Sequence, residues 1–332
     1  MEKKKRILFI TTKNIDYIRN SQEIRLLREE GKEVSLFYSR GKNYPLRLIS
    51  LYLRLLFKSM RIYEEVFIGF SPQLILPLFF WKFRGKKVVI DFFISVYDTM
   101  VNDRKKIRKG SLPAKWIHWL DAVTLRRADG IVADTRSHGR YFVSEFGADP
   151  EKIRVIYLEA DKSIYYPRQE EKPEHLKDKF TVLYFGSVLP LQGVDIILKA
   201  LERLKERKDM HFILIGPLGK KLAPVLSDNI EYISWLPQEK LAEYIGFADL
   251  CLAGHFNGEI EKAKRTIPGK TYIYRAMEKP VILGDSPANH ELFQEDGKTI
   301  YYVPMGDPQA LADKIAEICD DRRTDQYHHT SI

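Results

Sequence analysis

The feature that most constrains the fold is an alternation of short apolar runs with longer amphipathic segments, which occurs twice along the chain. The first series of apolar runs extends from Arg6–Thr11 to Ile153–Tyr157, and the second from Thr181–Phe185 to Thr299–Val303. Runs of this length are typical of buried strands, and the segments between them have helical spacing. A strand–helix–strand rhythm indicates a parallel sheet covered by helices. The sequence therefore predicts an α/β protein with two Rossmann-like, doubly wound domains.

A charged, proline-bearing stretch separates the two series. A chain of 332 residues exceeds what one hydrophobic core usually serves, which also favours two domains. The predicted parts are a first domain (1–165), a linker (166–175), a second domain (176–319) and a polar, frayed tail (320–332). Ligands of such sheets bind at the carboxyl ends of the strands, so we expect the two domains to face a ligand-binding cleft.

The charge of the chain is unevenly distributed. The net charge is +9, but residues 1–165 hold 32 Lys and Arg against 19 Asp and Glu, whereas residues 166–332 hold 22 against 26. The first half is therefore expected to meet an anionic partner. The two cysteines are too few for a disulfide framework and have no metal-site spacing, so we predict no metal and a reducing, cytoplasmic location.

The apolar segment Leu46–Arg61 allows two interpretations. Its cations Arg47, Arg54, Lys58 and Arg61 are spaced to share one face of a helix. The favoured interpretation is a core helix of the first domain with a solvated stripe. The alternative is a helix on an anionic membrane surface, which would make the protein peripheral on the inner face of the membrane. The sequence contains no recognised nucleic-acid-binding module, so no nucleic acid partner is expected.

Glycine-rich loops follow two strands of the second half. Gly216 follows the predicted strand His211–Ile215, and a longer loop follows Thr181–Phe185. The longer loop contains Gly186, Ser187, Gln192 and Gly193. Backbone amides at such a helix start can hold a phosphate oxygen. The alternative for the longer loop is a tight turn that needs glycine, and the alternative for the loop at Gly216 is a solvated loop. Both interpretations remain open from the residues alone.

A cationic cluster surrounds the Pro268-Gly269 turn. Lys264 and Arg265 precede this turn, and Lys270 opens the predicted helix Lys270–Glu278. Helix N-termini attract anions and repel cations, so these side chains are unfavourable there unless an anion completes the site. Arg and Lys both bind phosphates, which predicts a diphosphate site.

Polar residues follow the predicted strand Lys87–Phe93 in the first half. They are Ser95, Asp98, Asp103 and Arg104. Acids, bases and sugar-binding groups of α/β enzymes occupy this position. The structural alternative is that Asp98 caps a helix and that Asp103 and Arg104 form a surface pair.

Taken together, these segments resemble the retaining GT-B glycosyltransferases of family 4. The matching segments are residues 91–104, 128–135, 190–193, 264–270 and 279–285. The resemblance implies a GT-B fold and transfer of a sugar from a nucleotide-diphosphate sugar, with retention and without a metal or other cofactor. It also implies that the second domain binds this donor and that the first receives the acceptor, which would be a glycan or a lipid-linked sugar.

The resemblance also assigns roles to residues. It implies a catalytic role for Asp98, Arg265 and Lys270, and an acceptor-side position for Ser95, Asp103 and Arg104. The implied donor-binding residues are Gly186, Ser187, Gln192, Gly193, Gly216, Trp235, Lys264 and Pro268, with Trp235 at the nucleobase. The chain departs from many relatives at Arg265 and Ile273, where they have glutamates, and at Ser187 and Gln192, where Arg and Lys are common.

Two other functions fit the same pattern. A non-catalytic GT-B subunit that binds a partner transferase would account for the missing glutamates. A nucleotide-sugar epimerase would need acid and base groups, for which His255 and Glu259 are the nearby pair.

Overall fold

The computed structural model describes residues 4–41, 43–219 and 222–330 and contains two compact units. The division falls between Leu158 and Glu159, earlier than the end of the predicted first domain. Tyr165 explains this difference, because its ring packs with Leu176 in a core of the second unit. The two units are described separately below.

The first unit is built on a six-stranded parallel sheet. Its strands are β1 (Arg6–Ile10), β2 (Glu33–Phe37), β3 (Glu65–Ile68), β4 (Lys87–Asp91), β5 (Gly130–Ala133) and β6 (Ile153–Val155), in the order β2-β1-β3-β4-β5-β6. Its helices are α1 (Ile18–Glu29), α2 (Tyr44–Phe57), α3 (Leu76–Phe79), α4 (Leu112–Arg127) and α5 (Arg136–Phe146).

Alternation along β1 shows why helices cover both faces of this sheet. Ile7 and Phe9 join the core beneath α1, whereas Leu8 and Ile10 join the core beneath α2 to α5. Successive side chains of a strand point to opposite faces, so a strand that is apolar throughout needs cover on both sides.

The second unit repeats this architecture. Its strands are β7 (Phe180–Phe185), β8 (Met210–Ile215), β9 (Ile230–Ile233), β10 (Leu250–Leu252), β11 (Val281–Gly284) and β12 (Ile300–Val303), in the order β12-β11-β10-β7-β8-β9. Its helices are α6 (Val194–Leu204), α7 (Gln238–Phe247), α8 (Glu261–Arg265), α9 (Gly269–Ala276) and α10 (Pro308–Thr330). Helices α6 and α10 pack on one face of the sheet, and α7 and α9 on the other. Two parallel sheets with flanking helices confirm the predicted α/β class.

Several predicted helices are shorter than expected. The spacing predicts a helix over Tyr44–Tyr63, but α2 ends at Phe57, so Lys58 and Arg61 lie beyond it. The helix expected over Ala288–Glu295 is reduced to a 3-10 turn.

The helix expected over Gln73–Phe83 is divided into α3 and two 3-10 turns. Pro77 contributes to this division because it lacks a backbone N–H. Ser71, predicted as the N-cap, instead has a left-handed backbone (φ 51°) and makes no side-chain cap hydrogen bond.

The polar tail was predicted to be frayed, but it continues α10 as far as Thr330. Polar contacts rather than apolar ones hold this extension. Arg323 Nη1 lies 2.6 Å from Asp209 Oδ2, and Arg322 Nη1 donates to the Asp249 carbonyl at 3.1 Å. Among the described residues, no helix combines the length and the apolar character that crossing a bilayer requires.

A buried ion pair ties α1 to the sheet of the first unit. Arg19 Nε donates to Asp91 Oδ2 at 2.6 Å, and Nη1 donates to the Ile156 carbonyl. Glu23 is also buried beside them, and burial next to Asp91 raises its pKa well above the usual range. Arg19 is therefore the cation that makes two buried carboxyl groups tolerable in this position.

We expect Arg19→Met to lower the free energy of unfolding by about 3–5 kcal/mol, because it leaves Asp91 buried without its cation. Arg25→Met is the matched control, since Arg25 lies on the same helix and pairs with Glu29 in an exposed position. That control should change stability by at most about 0.5 kcal/mol. Urea denaturation followed by tryptophan fluorescence measures both. Equal losses in the two variants would contradict the role given to the buried pair.

Candidate functional site

The candidate site lies at the carboxyl edge of the second sheet, where the strand order reverses. From β7 the chain proceeds to β8 and β9 on one side, and it then crosses to β10 on the other side of β7. Ligands of doubly wound sheets bind at such a switch point. The loops after β7 and β10 meet there, and the Phe256 amide donates to the Gln192 carbonyl at 3.2 Å.

Two predicted glycines are required by close approach of the backbone. Gly193 has φ +67°, and a Cβ atom there would lie 2.7 Å from the Asn257 nitrogen. A Cβ atom on Gly216 would lie 2.1 Å from the Gly186 carbonyl oxygen. The turn interpretation is therefore confirmed for Gly193. It does not exclude a phosphate-binding role, since α6 begins immediately after Gly193.

Lys270 is the central side chain of the site. It lies in the first turn of α9 and is only 7% exposed. Its ammonium donates to Gln192 Oε1 and lies 4.7 Å from the centre of the Tyr184 ring. In the described part of the chain no carboxylate pairs with it, and burial lowers the pKa of Lys270 to about 7. A buried cation at a helix N-terminus is doubly unfavourable, so this site is incomplete without an anion.

Glycines make room around this ammonium. A Cβ atom on Gly186 would lie 3.1 Å from Lys270 Nζ, and one on Gly254 would lie 3.0 Å from it. Tyr184, whose ring lies beside the ammonium, and Thr271, the next residue in the chain, both have buried hydroxyls. Neither hydroxyl has a hydrogen-bond partner within the described residues. Burial also raises the pKa of Tyr184, so its hydroxyl keeps its proton and can donate.

Lys264 and Arg265 are placed differently from the prediction. They lie in the last turn of α8, a helix the sequence did not predict, and the dipole of a helix favours cations at that end. Lys264 Nζ also lies 2.6 Å from Glu261 Oε1. The argument that both are unfavourable at a helix start is therefore wrong, and it holds only for Lys270. Pro268 is buried and immediately precedes α9.

Trp235 lies two strands away along the same edge. It follows β9 and is 73% exposed, whereas Ser187 follows Gly186 at the end of β7. Neighbouring strands are about 4.8 Å apart, so the ends of β7 and β9 are separated by roughly 10 Å. Gly216 lies between them at the end of β8.

In the first unit, the residues after β4 form a buried network that the sequence only partly indicated. Ser95 Oγ donates to Asp121 Oδ2 at 2.7 Å, and the same carboxylate accepts from the amide of Tyr97 at 2.9 Å. Asp121 also accepts from Gln73, and burial raises its pKa. Ser95 is therefore fixed by the fold, and Asp121 is the residue that holds this loop.

Asp98 opens a π-helix (Asp98–Asp103) rather than capping a helix. It is fully buried, and its Oδ1 accepts from Asn102 Nδ2 at 2.9 Å. The expected surface pair of Asp103 with Arg104 is also wrong, because the side chain of Asp103 is buried while Arg104 is exposed.

Sequence reasoning missed Tyr184, Gly254 and Thr271, and it placed His255 only in an epimerase. His255 is buried with φ +58°, and its Nδ1 donates to the Thr266 carbonyl at 3.0 Å, while Glu259 is exposed. The available signal was position, since Tyr184 ends an apolar strand just before Gly186. No motif distinguishes its hydroxyl from that of a core tyrosine.

A groove of about 860 Å³ lies at the opposite edge of the second sheet, before β10 and β11. Two of its cations pair with carboxylates, Lys172 with Asp249 and Arg168 with Glu170. Lys279 donates instead to the carbonyls of Gly246 and Ala248, so each of these three cations is engaged within the protein.

We expect Gly193→Ala to destabilise the second unit more than its backbone angles alone require. Gly147 is the matched control, because its angles (φ 67°, ψ 34°) nearly equal those of Gly193 (φ 67°, ψ 37°) but no atom lies within 4 Å of its would-be Cβ. Gly147→Ala should lower the free energy of unfolding by about 1–2 kcal/mol. Gly193→Ala should lower it clearly more, and urea denaturation measures both. Equal costs would show that the loops after β7 and β10 do not need their close contact.

Comparisons with known proteins agree with this geometry. Residues 179–321 match the family model described as glycosyl transferases group 1. The chain is similar to MMP alpha-(1->4)-mannosyltransferase of Mycolicibacterium hassiacum, with 24% identity over 189 residues, which cover 54% of this chain and 43% of the relative. The chain thus spans less than half the length of this relative.

Solved structures resemble the whole chain in fold. Sucrose-phosphate synthase from Thermosynechococcus elongatus has a TM-score of 0.69 at 14% identity, covering 96% of this chain and 90% of that chain. Anabaena HepE in complex with UDP-glucose has a TM-score of 0.58 at 16% identity, with coverages of 96% and 90%. Residues 179–321 therefore match the group 1 glycosyltransferases, and the chain has the α/β two-domain architecture of the GT-B fold.

Proposed function

We propose that the protein transfers a hexose from a nucleotide-diphosphate sugar to a glycan or lipid-linked acceptor, with retention of anomeric configuration. The observation that carries this proposal is the buried Lys270 ammonium at the switch point of the second sheet, for which the described residues supply no carboxylate partner. A diphosphate is the anion that would complete the site. The HepE structure with UDP-glucose supports a donor of this class.

The donor diphosphate would lie over the loop after β7. Lys270 would supply the charge, and Ser187 and the free amide hydrogens of Gln192 would supply hydrogen bonds. The nucleobase would extend along the sheet edge past Gly216 to the exposed ring of Trp235. The roughly 10 Å between the ends of β7 and β9 suits the length of a nucleoside attached to this diphosphate.

In the proposed reaction, the bond between the anomeric carbon and the phosphate oxygen breaks, and its electron pair remains on the leaving nucleoside diphosphate. The Lys270 ammonium stabilises this charge, with Arg265 of α8 as the second cation. The acceptor hydroxyl forms the new bond on the same face of the sugar and gives its proton to the leaving phosphate oxygen. No metal or other cofactor takes part in this scheme.

The first unit would receive the acceptor. Asp98 and Arg104 follow β4, at the edge of the sheet where α/β proteins bind ligands. Asp98, buried with its Asn102 hydrogen bond, is the proposed acceptor-side carboxylate. Ser95 and Asp103 would shape this loop from within, since both are buried.

A lipid-linked acceptor would bring the protein to a membrane, and the surface of α2 supports this part of the proposal. The predicted basic stripe is only partly present on α2. Arg54 is exposed and donates to the Tyr38 carbonyl, and Arg47 is half-buried and donates to Asn14, whereas Lys58 and Arg61 lie beyond the helix. The helix also exposes an apolar stripe. Its residues are Leu46, Ile49, Leu53, Leu56 and Phe57. We propose that the protein works in the cytoplasm, peripherally on the inner face of the membrane, with α2 against the lipid.

We expect Lys270→Met to lower the affinity for nucleoside diphosphates by about 2–3 kcal/mol, because it removes the buried cation while keeping the volume of the side chain. Lys199→Met is the control, since Lys199 is exposed on α6. Thermal shifts with UDP, GDP, ADP and their sugars measure binding, and release of nucleoside diphosphate measures transfer. Unchanged binding and transfer in Lys270→Met would refute the proposed site.

Donor binding should depend on pH through the same lysine. The pKa of Lys270 is about 7 in the free protein, and a bound diphosphate favours the ammonium, so binding takes up a proton above pH 7. Affinity should then fall by up to about tenfold per unit as pH rises from 8 to 9, where phosphate itself no longer titrates. Lys270→Arg should flatten this profile because arginine stays charged. Calorimetry in buffers of different ionisation enthalpy tests the proton uptake, and a flat wild-type profile would contradict it.

A second function is favoured by one observation. Ile273 packs against the core of the second unit, at a position where many relatives carry a glutamate. A non-catalytic subunit that binds a nucleotide and a partner transferase would tolerate this replacement. Nucleotide binding without any sugar transfer or hydrolysis would favour this alternative.

A further inference from the structure

A basic, aromatic segment of the first unit has no role in the proposed transfer chemistry beyond its first residue. The segment, residues 104–119, joins the π-helix after β4 to the first two turns of α4. It carries six exposed cations, namely Arg104, Lys105, Lys106, Arg108, Lys109 and Lys115. It contains no Asp or Glu, so its own sequence does not neutralise this charge.

Tertiary contacts do not neutralise it either. Within the described residues, no ion pair joins any of these six cations to a carboxylate. Most of them also precede the N-terminus of α4, a helix of 16 residues whose start is capped by Ser111. The positive end of a helix does not attract cations, so α4 offers them no compensating charge either.

The same segment exposes large apolar side chains. Leu112, Trp116 and Trp119 are 81%, 60% and 52% exposed, and their spacing places them on one stripe of α4. Ala114 and Ile117, on the opposite side of the helix, are buried in the core. The stripe is therefore not used in the core of the first unit. Lys115 lies on the same turns of α4 as the stripe, and the other five cations precede the helix in sequence.

We propose that residues 104–119 dock on an anionic lipid bilayer. Tryptophan and leucine would enter the head-group region, and the cations would bind lipid phosphates. The charge complementarity favours an anionic surface, and the exposed Leu112 and tryptophans favour a bilayer over nucleic acid, whose backbone offers them no apolar partner. This docking is separate from the donor site and does not depend on transfer. It would hold the carboxyl edge of the first sheet, where β4 ends, next to the lipid.

The tryptophans of the segment provide the test. The chain has four tryptophans, so Trp81→Phe/Trp235→Phe leaves Trp116 and Trp119 as the reporters. With vesicles of phosphatidylcholine and phosphatidylglycerol, we expect a blue shift and quenching by brominated lipid. With phosphatidylcholine alone, we expect much weaker effects. Co-sedimentation without a blue shift or quenching would overturn the proposal, since α2 would then bind the vesicles without residues 104–119.

A charge-matched pair of variants separates this site from a general effect of net charge. Lys105→Glu/Lys106→Glu/Lys109→Glu should weaken binding to the anionic vesicles by roughly 100-fold or more. The control Lys177→Glu/Lys199→Glu/Lys298→Glu changes the net charge equally at exposed positions of the second unit and should retain binding. Equal losses in both variants, or binding of a DNA duplex with none of vesicles, would overturn the proposal.

The outcome is independent of the proposed transferase activity. Lys270→Met should bind the vesicles like the wild type, because its side chain is buried in the second unit. Vesicle binding with no nucleotide binding would refute the donor site alone, and the reverse result would refute the docking segment alone.

Discussion

The candidate site depends on how closely the loops after β7 and β10 approach each other. At Gly193 and Gly216 the backbones are near enough to exclude a Cβ atom, so the loop after β7 folds tightly against its neighbours. That contact places the Gln192 amide beside the ammonium of Lys270, which reaches the switch point from α9. The site is thus made from three segments that are distant in sequence. Each contributes little alone, and the backbone contact brings them together.

The two units handle buried charge in different ways. In the first unit, the buried Arg19 has Asp91 within hydrogen-bond distance, so its charge serves the fold. In the second unit, Lys270 is also buried, but among the described residues its one hydrogen-bond partner is the side-chain amide of Gln192. A structural cation is normally paired when it is buried. This contrast is the basis for proposing that Lys270 binds a ligand, and a lowered pKa of the lysine accords with that proposal.

The sequence predicted the architecture well, because buried parallel strands leave a strong pattern of short apolar runs. It was weaker where the pattern is short or polar. The helix predicted after Ser71 is broken, α8 was not predicted, and α10 extends through polar residues that hold it by ion pairs. The sequence predicted which cations mark the site, but the physical argument for choosing them was only partly right. Lys264, Arg265 and Lys270 were grouped by proximity in sequence, but α8 and α9 give Lys270 alone the unfavourable position of a buried cation at a helix start.

The amino-acid sequence by itself determined the two parallel sheets, the glycines of the loop after β7 and the basic character of the first half, because periodicity and composition are local properties of the chain. Tertiary structure decided which charges are buried, paired or exposed, because those properties depend on segments that meet only after folding. It showed an exposed apolar stripe on α2, and it left the cations of residues 104–119 without carboxylate partners among the described residues. It also placed Tyr184 and Gly254 around Lys270, a group that no spacing in the sequence could have identified.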